Sequence, residues 1–490
     1  MTINQRPTPY HRFTRMPIAG VWREGSSRRR LSDTNPYSGE VLTEITPANA
    51  ADVDQAYSEA RRAQRAWAAA EPSERAAVMR RAAQIMQTRR FELVDWLIRE
   101  IGATRSRAEV EVAIATEVTA LAGGQTAHPV TLVDSDVPHK ENRVLRRPAG
   151  VVTVISPWNF PLYLSNRSVA PALALGNAVV LKPAEDSPVT GGLWLAKAYE
   201  EAGLPPGVLS VVIGTGAEIG DHLVEHPVPR VVSFTGSTAV GLGITRKAGV
   251  KRLALELGGN GPMVVLDDAD LQRALMCAGN GSFYHNGQIC MATNRIIVQA
   301  PVFDEFVERF VEQTQDLRVG DPADPGTQIG PVINARQLHS IREKIDRAVT
   351  DGAKLLLSAD PTGPTGQVLP PHVLVGTNDV ATARDEVFGP VATIIRADDE
   401  DHALRIANAT DYGLSSAVFS EDLERALRFA QRIEAGMTHI NDTTVHDDVH
   451  APFGGDKQSG YGRFGLGWVD DDFTSRHWIS IQHLARPLPY

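Results

Sequence analysis

Cys290 is the residue with the most evident chemical capacity. It ends Phe283-Tyr-His-Asn-Gly-Gln-Ile-Cys290, where polar residues and a glycine interrupt any smooth core segment. A thiol there is a nucleophile if it can be reached and its thiolate is stabilised, and an inert buried residue if not. The other cysteine, Cys277, sits in Leu275-Met-Cys-Ala-Gly279, an apolar helix-like setting that reads as core. Glu256 stands between leucines in Leu253-Ala-Leu-Glu-Leu-Gly-Gly259. Buried without a partner, its carboxyl would hold its proton more tightly, as a general base near neutral pH requires; on an edge strand it would simply face water. The two glycines after it permit close backbone approach. Asn159, in Ser156-Pro-Trp-Asn-Phe-Pro161, occupies a turn stiffened by two prolines and two aromatics. It is either a preorganised amide donor to an oxyanion or an Asx-turn serving its own backbone.

A second group of residues suits phosphate and ribose. Gly236-Ser-Thr-Ala-Val-Gly241 follows a strand and opens a helix, so its free N–H groups can receive a pyrophosphate or merely close a turn. Neither it nor Gly214-Thr-Gly-Ala-Glu-Ile-Gly220 is the G-x-G-x-x-G fingerprint. Lys182 and Glu185, in Leu181-Lys-Pro-Ala-Glu185, fall at the end of an apolar run. They can hold ribose hydroxyls, the carboxylate repelling a 2′-phosphate, or form a solvated pair.

These residues need elements to place them. Apolar β-branched runs at 150–155, 178–181, 208–213 and 230–234 predict strands buried on both faces. Helices are expected between them near 166–175, 187–202 and 216–226, which makes the region a parallel βαβ sheet. Upstream, an Ala/Arg/Glu pattern to about Arg99 predicts two or three helices broken near Glu71-Pro72-Ser73, with another over 106–125. A second α/β stretch starts at Pro262, with strands near 295–298, 353–357 and 391–395 and helices near 302–316 and 423–435. Residues 129–147 and Arg476–Gln482 read as extended arms whose edges must pair with another subunit or with this chain.

Composition narrows the class. The 490 residues allow two to four domains, and 42% hydrophobic with 22% charged residues is ordinary for a globular chain. A formal charge of -10 argues against a nucleic-acid partner. Two cysteines exclude a disulfide scaffold and a Cys₄ metal site. No apolar run reaches 18 residues, so no membrane span is expected, and the start MTINQRPTPYHRF lacks an apolar signal core. A cytoplasmic enzyme is the expectation. His439, His446 and His450 form the best histidine cluster, but no HExxH motif frames them, and no metal is expected.

Seven motifs then fall in one order: Pro157-Trp-Asn-Phe-Pro161, Lys182-Pro-Ala-Glu185, Phe234-Thr-Gly-Ser237, Leu255-Glu-Leu-Gly-Gly259, Gly287-Gln-Ile-Cys290, Glu386-Val-Phe-Gly-Pro390 and Pro452-Phe-Gly-Gly455. In order and spacing, including the 34 positions from Glu256 to Cys290, the chain resembles the NAD(P)-dependent aldehyde dehydrogenase superfamily over nearly its whole length. The resemblance implies an α/β fold with a Rossmann-type cofactor domain (1–128 and 148–256), an α/β catalytic domain (257–469) and an extended β oligomerisation arm (129–147 and 470–490). It implies Cys290 as nucleophile, Glu256 as general base, and Asn159 with the Cys290 N–H as oxyanion donors. Lys182 and Glu185 would hold the adenosine ribose, Gly236 and Ser237 the pyrophosphate, and Glu386 and Phe388 the nicotinamide half. Ser156, Trp158, Gly214, Gly241 and Leu257 would complete the cofactor surface. NAD is the expected cofactor, with NADP as an alternative, and a homodimer or tetramer the expected assembly.

Gly287–Arg295, Gly462-Arg-Phe-Gly465 and Arg476-His-Trp-Ile479 resemble the benzaldehyde, vanillin, 4-hydroxybenzaldehyde and salicylaldehyde enzymes of that superfamily. Tyr163, Leu164, Arg167, Ile289, Met291 and Phe453 are the expected walls of an aromatic slot. Semialdehyde or aliphatic aldehyde oxidation, acyl transfer to coenzyme A, and a non-catalytic structural role are the alternatives; the presence of both Glu256 and Cys290 weighs against the last two.

Overall fold

The computed structural model describes residues 7–127 and 129–488. Residues 1–6 and 128, at the ends of the expected cofactor domain's first segment, and 489–490, at the end of the expected arm, lie outside the described residues.

The apolar β-branched runs form the first sheet, in the order Gly460–Tyr461, Arg252–Glu256, Val231–Thr235, Val151–Ile155, Ala178–Lys182, Leu209–Val211. All neighbours are parallel except Gly460–Tyr461, which runs antiparallel. From Val151–Ile155 the chain steps outward to Leu209–Val211, then returns on the other side with Val231–Thr235. That reversal is a topological switch point, and ligands of open α/β sheets bind beyond the strand carboxyl ends there. Ser156, Lys182, Gly236 and Glu256 all lie at those ends. The helix Pro161–Ala174 begins with proline at its first turn, which suits a position whose N–H has no intrahelical partner. It is buried on every side, so it transmits position rather than meeting solvent.

The second sheet has the order Lys354–Leu357, His372–Gly376, Val391–Ala397, Thr293–Gln299, Gly261–Val265, Ser415–Phe419, Met437–Ile440, parallel apart from Lys354–Leu357. Its register matters to the site. Gly261 pairs with Thr293, so Glu256, five residues before one strand, and Cys290, three before the other, approach from adjacent strand starts. In the arm, Thr474–Gln482 pairs antiparallel with Lys140–Pro148 along its length, and Thr131–Val133 adds a third, exposed strand. The partner of those two long strands is therefore this chain.

Some elements differ from expectation. The helices expected over 187–202 and 216–226 open with π-helical turns at Val189–Leu193 and Gly216–Gly220. Glycine permits the first, since a Cβ at Gly192 would lie 2.8 Å from Pro183. The helix expected near 166–175 starts at Pro161, and the one expected to 435 ends at Ala430. The strands His372–Gly376, Ser415–Phe419 and Met437–Ile440 and the helices Ala335–Thr350 and Glu400–Asn408 were not expected, although Asn334 and Asp399 cap the two helices. Gly460–Tyr461 joins the first sheet from within the segment assigned to the catalytic domain.

Candidate active site

The first sheet supplies one wall. After Ile155 the chain turns through Ser156–Phe160 into the buried helix, and the Ser156 and Ser165 hydroxyls bond at 2.6 Å across that turn. Asn159 is buried, and its Nδ2 donates to the Gln288 carbonyl at 2.8 Å, two residues before the thiol. The Asx-turn reading is thus replaced by a bond across the cleft. Trp158 meets Phe388 edge to face at 5.4 Å.

A cavity of about 720 Å³ opens beyond the strand ends, walled by Lys182, Glu185, Gly216, Gly220, Gly236 and Ser237 among others. Lys182 is buried, and burial lowers its pKa against the opposing pull of Glu185 and Asp186. Gly214 and Gly241 are not on this wall. A Cβ at Gly214 would meet Ile219 at 2.9 Å and one at Gly241 would meet Leu257 at 2.3 Å, so these glycines serve close packing. Gly216 and Gly220, which have nothing within 4 Å of a Cβ, are the glycines that face the space.

A smaller cavity of about 230 Å³ adjoins it and shares Trp158, Gly236 and Ser237. Asn159, Leu164, Leu257, Cys290, Glu386 and Phe388 line it. Cys290 is partly exposed to this space while protein surrounds it more widely. Its thiol is pushed up to about 12, first by burial and then by the Glu256 charge, with Arg167 pulling the other way. Glu256 lies fully buried behind the wall, and among the described residues neither carboxylate oxygen has a hydrogen-bond partner. Burial raises it to about 8, with Arg167 opposing. The edge-strand reading fails because Gly460–Tyr461 covers its strand.

The loop that presents Cys290 is strained. His285, Asn286 and Gly287 have φ of 50°, 58° and 65°, three left-handed residues in succession. Such a run persists only where its surroundings over-determine it. Asn286 donates to the Pro331 carbonyl at 2.7 Å and accepts from Gly330 N–H at 3.0 Å, while Gln288 Oε1 accepts from Ile333 N–H at 3.0 Å. The glycines after Glu256 are needed for approach: a Cβ at Gly258 would meet Glu386 Oε2 at 2.5 Å, and one at Gly259 the Cys290 carbonyl at 2.1 Å. Glu386 accepts the Gly259 N–H at 3.0 Å, and burial raises it to about 7.

A third, narrow cavity of about 30 Å³ is lined by Val118, Leu121, Tyr163, Arg167, Val449 and Leu466 among others. The Arg167 guanidinium lies over the rings of Phe464 at 4.3 Å and Phe453 at 4.6 Å. Tyr163 donates to Asp447 at 2.7 Å. Of the expected slot residues, only Tyr163 and Arg167 face this space. Leu164 faces the thiol cavity, and the buried Ile289, Met291 and Phe453 line neither space. Asp447, Gln288, Gly216 and Lys344 belong to these walls or their supports and were not anticipated individually; Gly216 and Gln288 lie inside segments already singled out, while Asp447 and Lys344 carry no local sequence signal. His439 and His446 meet edge to face at 5.4 Å, and among the described residues no group of three ligating side chains gathers to hold a metal.

A model of the aldehyde dehydrogenase family matches residues 22–479. The vanillin dehydrogenase of Corynebacterium glutamicum is 50% identical over 96% of this chain and 98% of its own length. Among solved structures, an NAD-dependent benzaldehyde dehydrogenase from Corynebacterium glutamicum matches with a TM-score of 0.89 at 46% identity, covering 99% of this chain and 100% of that one. A salicylaldehyde dehydrogenase from Pseudomonas putida G7, complexed with salicylaldehyde, matches at 0.93 and 36% identity over 97% and 99% of the two chains.

Proposed function

The chain belongs to the aldehyde dehydrogenase family, and on that premise we propose that it oxidises aromatic aldehydes of the benzaldehyde, vanillin or 4-hydroxybenzaldehyde type to carboxylic acids with NAD⁺. The observation that carries the reading is a partly exposed thiol on the wall of a cavity that adjoins the strand-end cleft, with an unpartnered buried carboxylate behind it. A dinucleotide suits the larger cavity. Lys182 spends only one bond, to the Pro183 carbonyl at 3.3 Å, leaving donors for ribose hydroxyls, and Gly216 and Gly220 leave room for a phosphate against the backbone. Glu185 would accept from the ribose and disfavour a 2′-phosphate, so NAD is preferred and NADP used less well.

In this reading Cys290 Sγ, after losing its proton, adds to the aldehyde carbon. Asn159 Nδ2 has a second hydrogen beyond the one given to Gln288, and with the Cys290 N–H it donates to the oxygen that receives the electron pair. When bound, NAD⁺ supplies the hydride acceptor that turns this adduct into a thioester. Glu256 takes a proton from water, the water oxygen adds to the thioester carbon, and collapse expels the Cys290 thiolate and the carboxylic acid product. Water as acceptor, rather than coenzyme A, follows from the retained Glu256. The enzyme would act in the cytoplasm as a dimer or tetramer assembled through the arm, whose strand Thr131–Val133 leaves Leu132 70% exposed. Among the described residues no helix is long and apolar enough to cross a membrane.

Arg167, whose buried Nε and Nη1 have no hydrogen-bond partner among the described residues, favours one second reading, a semialdehyde bearing a distal carboxylate. Asp447 already counters that charge, which is why the aromatic reading stands first. Cofactor reduction across substituted benzaldehydes, short aliphatic aldehydes and succinate semialdehyde decides. A kcat/KM about tenfold or more in favour of the benzaldehydes is expected; preference for succinate semialdehyde or acetaldehyde would overturn the proposal.

A further inference from the structure

The helix Arg105–Ala122 carries an ion pair with no contact to solvent, Arg107 with Glu111 at 2.5 Å. Burying two charges is costly, and replacing such a pair by apolar residues is often neutral for stability. Its presence here calls for a use beyond cohesion. Both partners reach the turn that holds Asn159. Arg107 Nη2 donates to the Asn159 carbonyl, and its guanidinium lies 3.9 Å from the centre of the Phe160 ring. Glu111 Oε1 accepts the Tyr163 N–H at 3.0 Å. That is a free donor of the first turn of the helix Pro161–Ala174. His285, from the strained thiol loop, packs its ring edge-on to Phe160 at 5.4 Å and leans on the Asn159 main chain.

We propose that Arg107 and Glu111 are positioning residues for the oxyanion donor, Arg107 holding the Asn159 main chain and Glu111 the start of the helix behind it. The pair fixes the turn from both ends, so the Asn159 amide is aimed at the thiol before substrate arrives. This is the preorganisation that makes such a donor effective. The inference rests on Asn159 acting on the oxyanion, as proposed above.

The test uses the full-length enzyme. An Arg107→Met/Glu111→Leu double variant keeps volume and removes both charges. It is expected to keep its Tm within about 5 °C. Its NAD⁺ affinity and its rate of Cys290 alkylation without cofactor should be unchanged, while kcat falls about 10- to 100-fold. Combined with Asn159→Ala, it should lower kcat no further than Asn159→Ala alone, because both remove one function. Arg107→Lys keeps a charge opposite Glu111 but not the fork that spans both partners, and should lose about tenfold in kcat even if the double variant does not fold. Wild-type kcat in Arg107→Lys or in the double variant, or losses that multiply with Asn159→Ala, would overturn the inference. Wild-type kcat in Asn159→Ala would instead remove the oxyanion reading beneath it.

Discussion

The two walls of the cleft are built on opposite principles. The cofactor wall consists of strand ends finished by Gly216 and Gly220, where an added Cβ would meet no atom within 4 Å. The thiol wall is a run of three left-handed residues, strapped to Gly330–Ile333 and pressed against Gly389. Two carboxylates near the thiol differ as well. Glu386 has a backbone N–H and the nearby Lys344 to temper its burial, whereas Glu256 has no hydrogen-bond partner among the described residues. A surface that must accept a large ligand can be open. A surface that must hold one sulfur atom and one reactive carboxylate has to be over-determined, and it stores strain and desolvation to do so.

The contrast can be broken by substitution. The largest effect is expected from Cys290→Ala, which should lower aldehyde oxidation by at least about 10⁴-fold while cofactor affinity stays within about twofold. Retained oxidation would show that the thiol wall is not where chemistry occurs. Glu256→Gln should slow thioester hydrolysis about 10²- to 10³-fold and leave a burst of reduced cofactor, measured by stopped flow. Because the ionised carboxylate is the base and its pKa is about 8, the wild-type rate should rise as pH increases through 8, and the variant should lose that limb. Stability has the opposite sign. The folded state holds this proton more tightly than the unfolded chain, whose carboxyl titrates near 4.5, so wild-type stability falls as pH rises from 4.5 to 8 and then levels. Glu256→Gln escapes that loss and should be more stable above pH 8 by a few kcal/mol, of the order set by 1.4 kcal/mol per pH unit.

Backbone substitutions compare the walls directly. Gly287→Ala places a Cβ 2.1 Å from the Gly389 carbonyl at a φ of +65°, and should cost about 3 kcal/mol or more in chemical denaturation. Gly216→Ala, on the cofactor wall, should change stability by no more than about 0.5 kcal/mol. Equal costs would erase the distinction. The smallest effect is expected for Glu185→Gln, a shift of about tenfold in relative kcat/KM towards NADP; an unchanged ratio would detach Glu185 from the ribose.

Much of the fold was readable because its signals are local. The runs Val151–Ile155 and Ala178–Lys182 are apolar and β-branched along their whole length, which suits strands covered on both faces. The Gly258-Gly259 pair was legible as a site of close approach, and only glycine fits against Glu386 and the Cys290 carbonyl. The roles of Gly214 and Gly241 were not, because a glycine that admits a neighbouring side chain looks the same in sequence as one that admits a ligand. The slot was the least legible part. Tyr163 meets Asp447 across 284 positions, and Arg167 meets Phe464 only when the helix Pro161–Ala174 has docked. Arg107 went unnoticed because its target is a backbone carbonyl 52 residues away, which no side-chain pattern marks.

The order of motifs and the identities of thiol, carboxylate and amide are properties of the chain itself, since chemical capacity resides in side-chain type and strand formation in neighbouring residues. The protonation of those groups is not. Whether Cys290 and Glu256 hold their protons near neutral pH depends on how completely folding strips them of water. It depends also on charges brought from Arg167 and Asp447, which lie far away in the chain. Desolvation and Coulomb interaction act through space, so only the tertiary structure decides them.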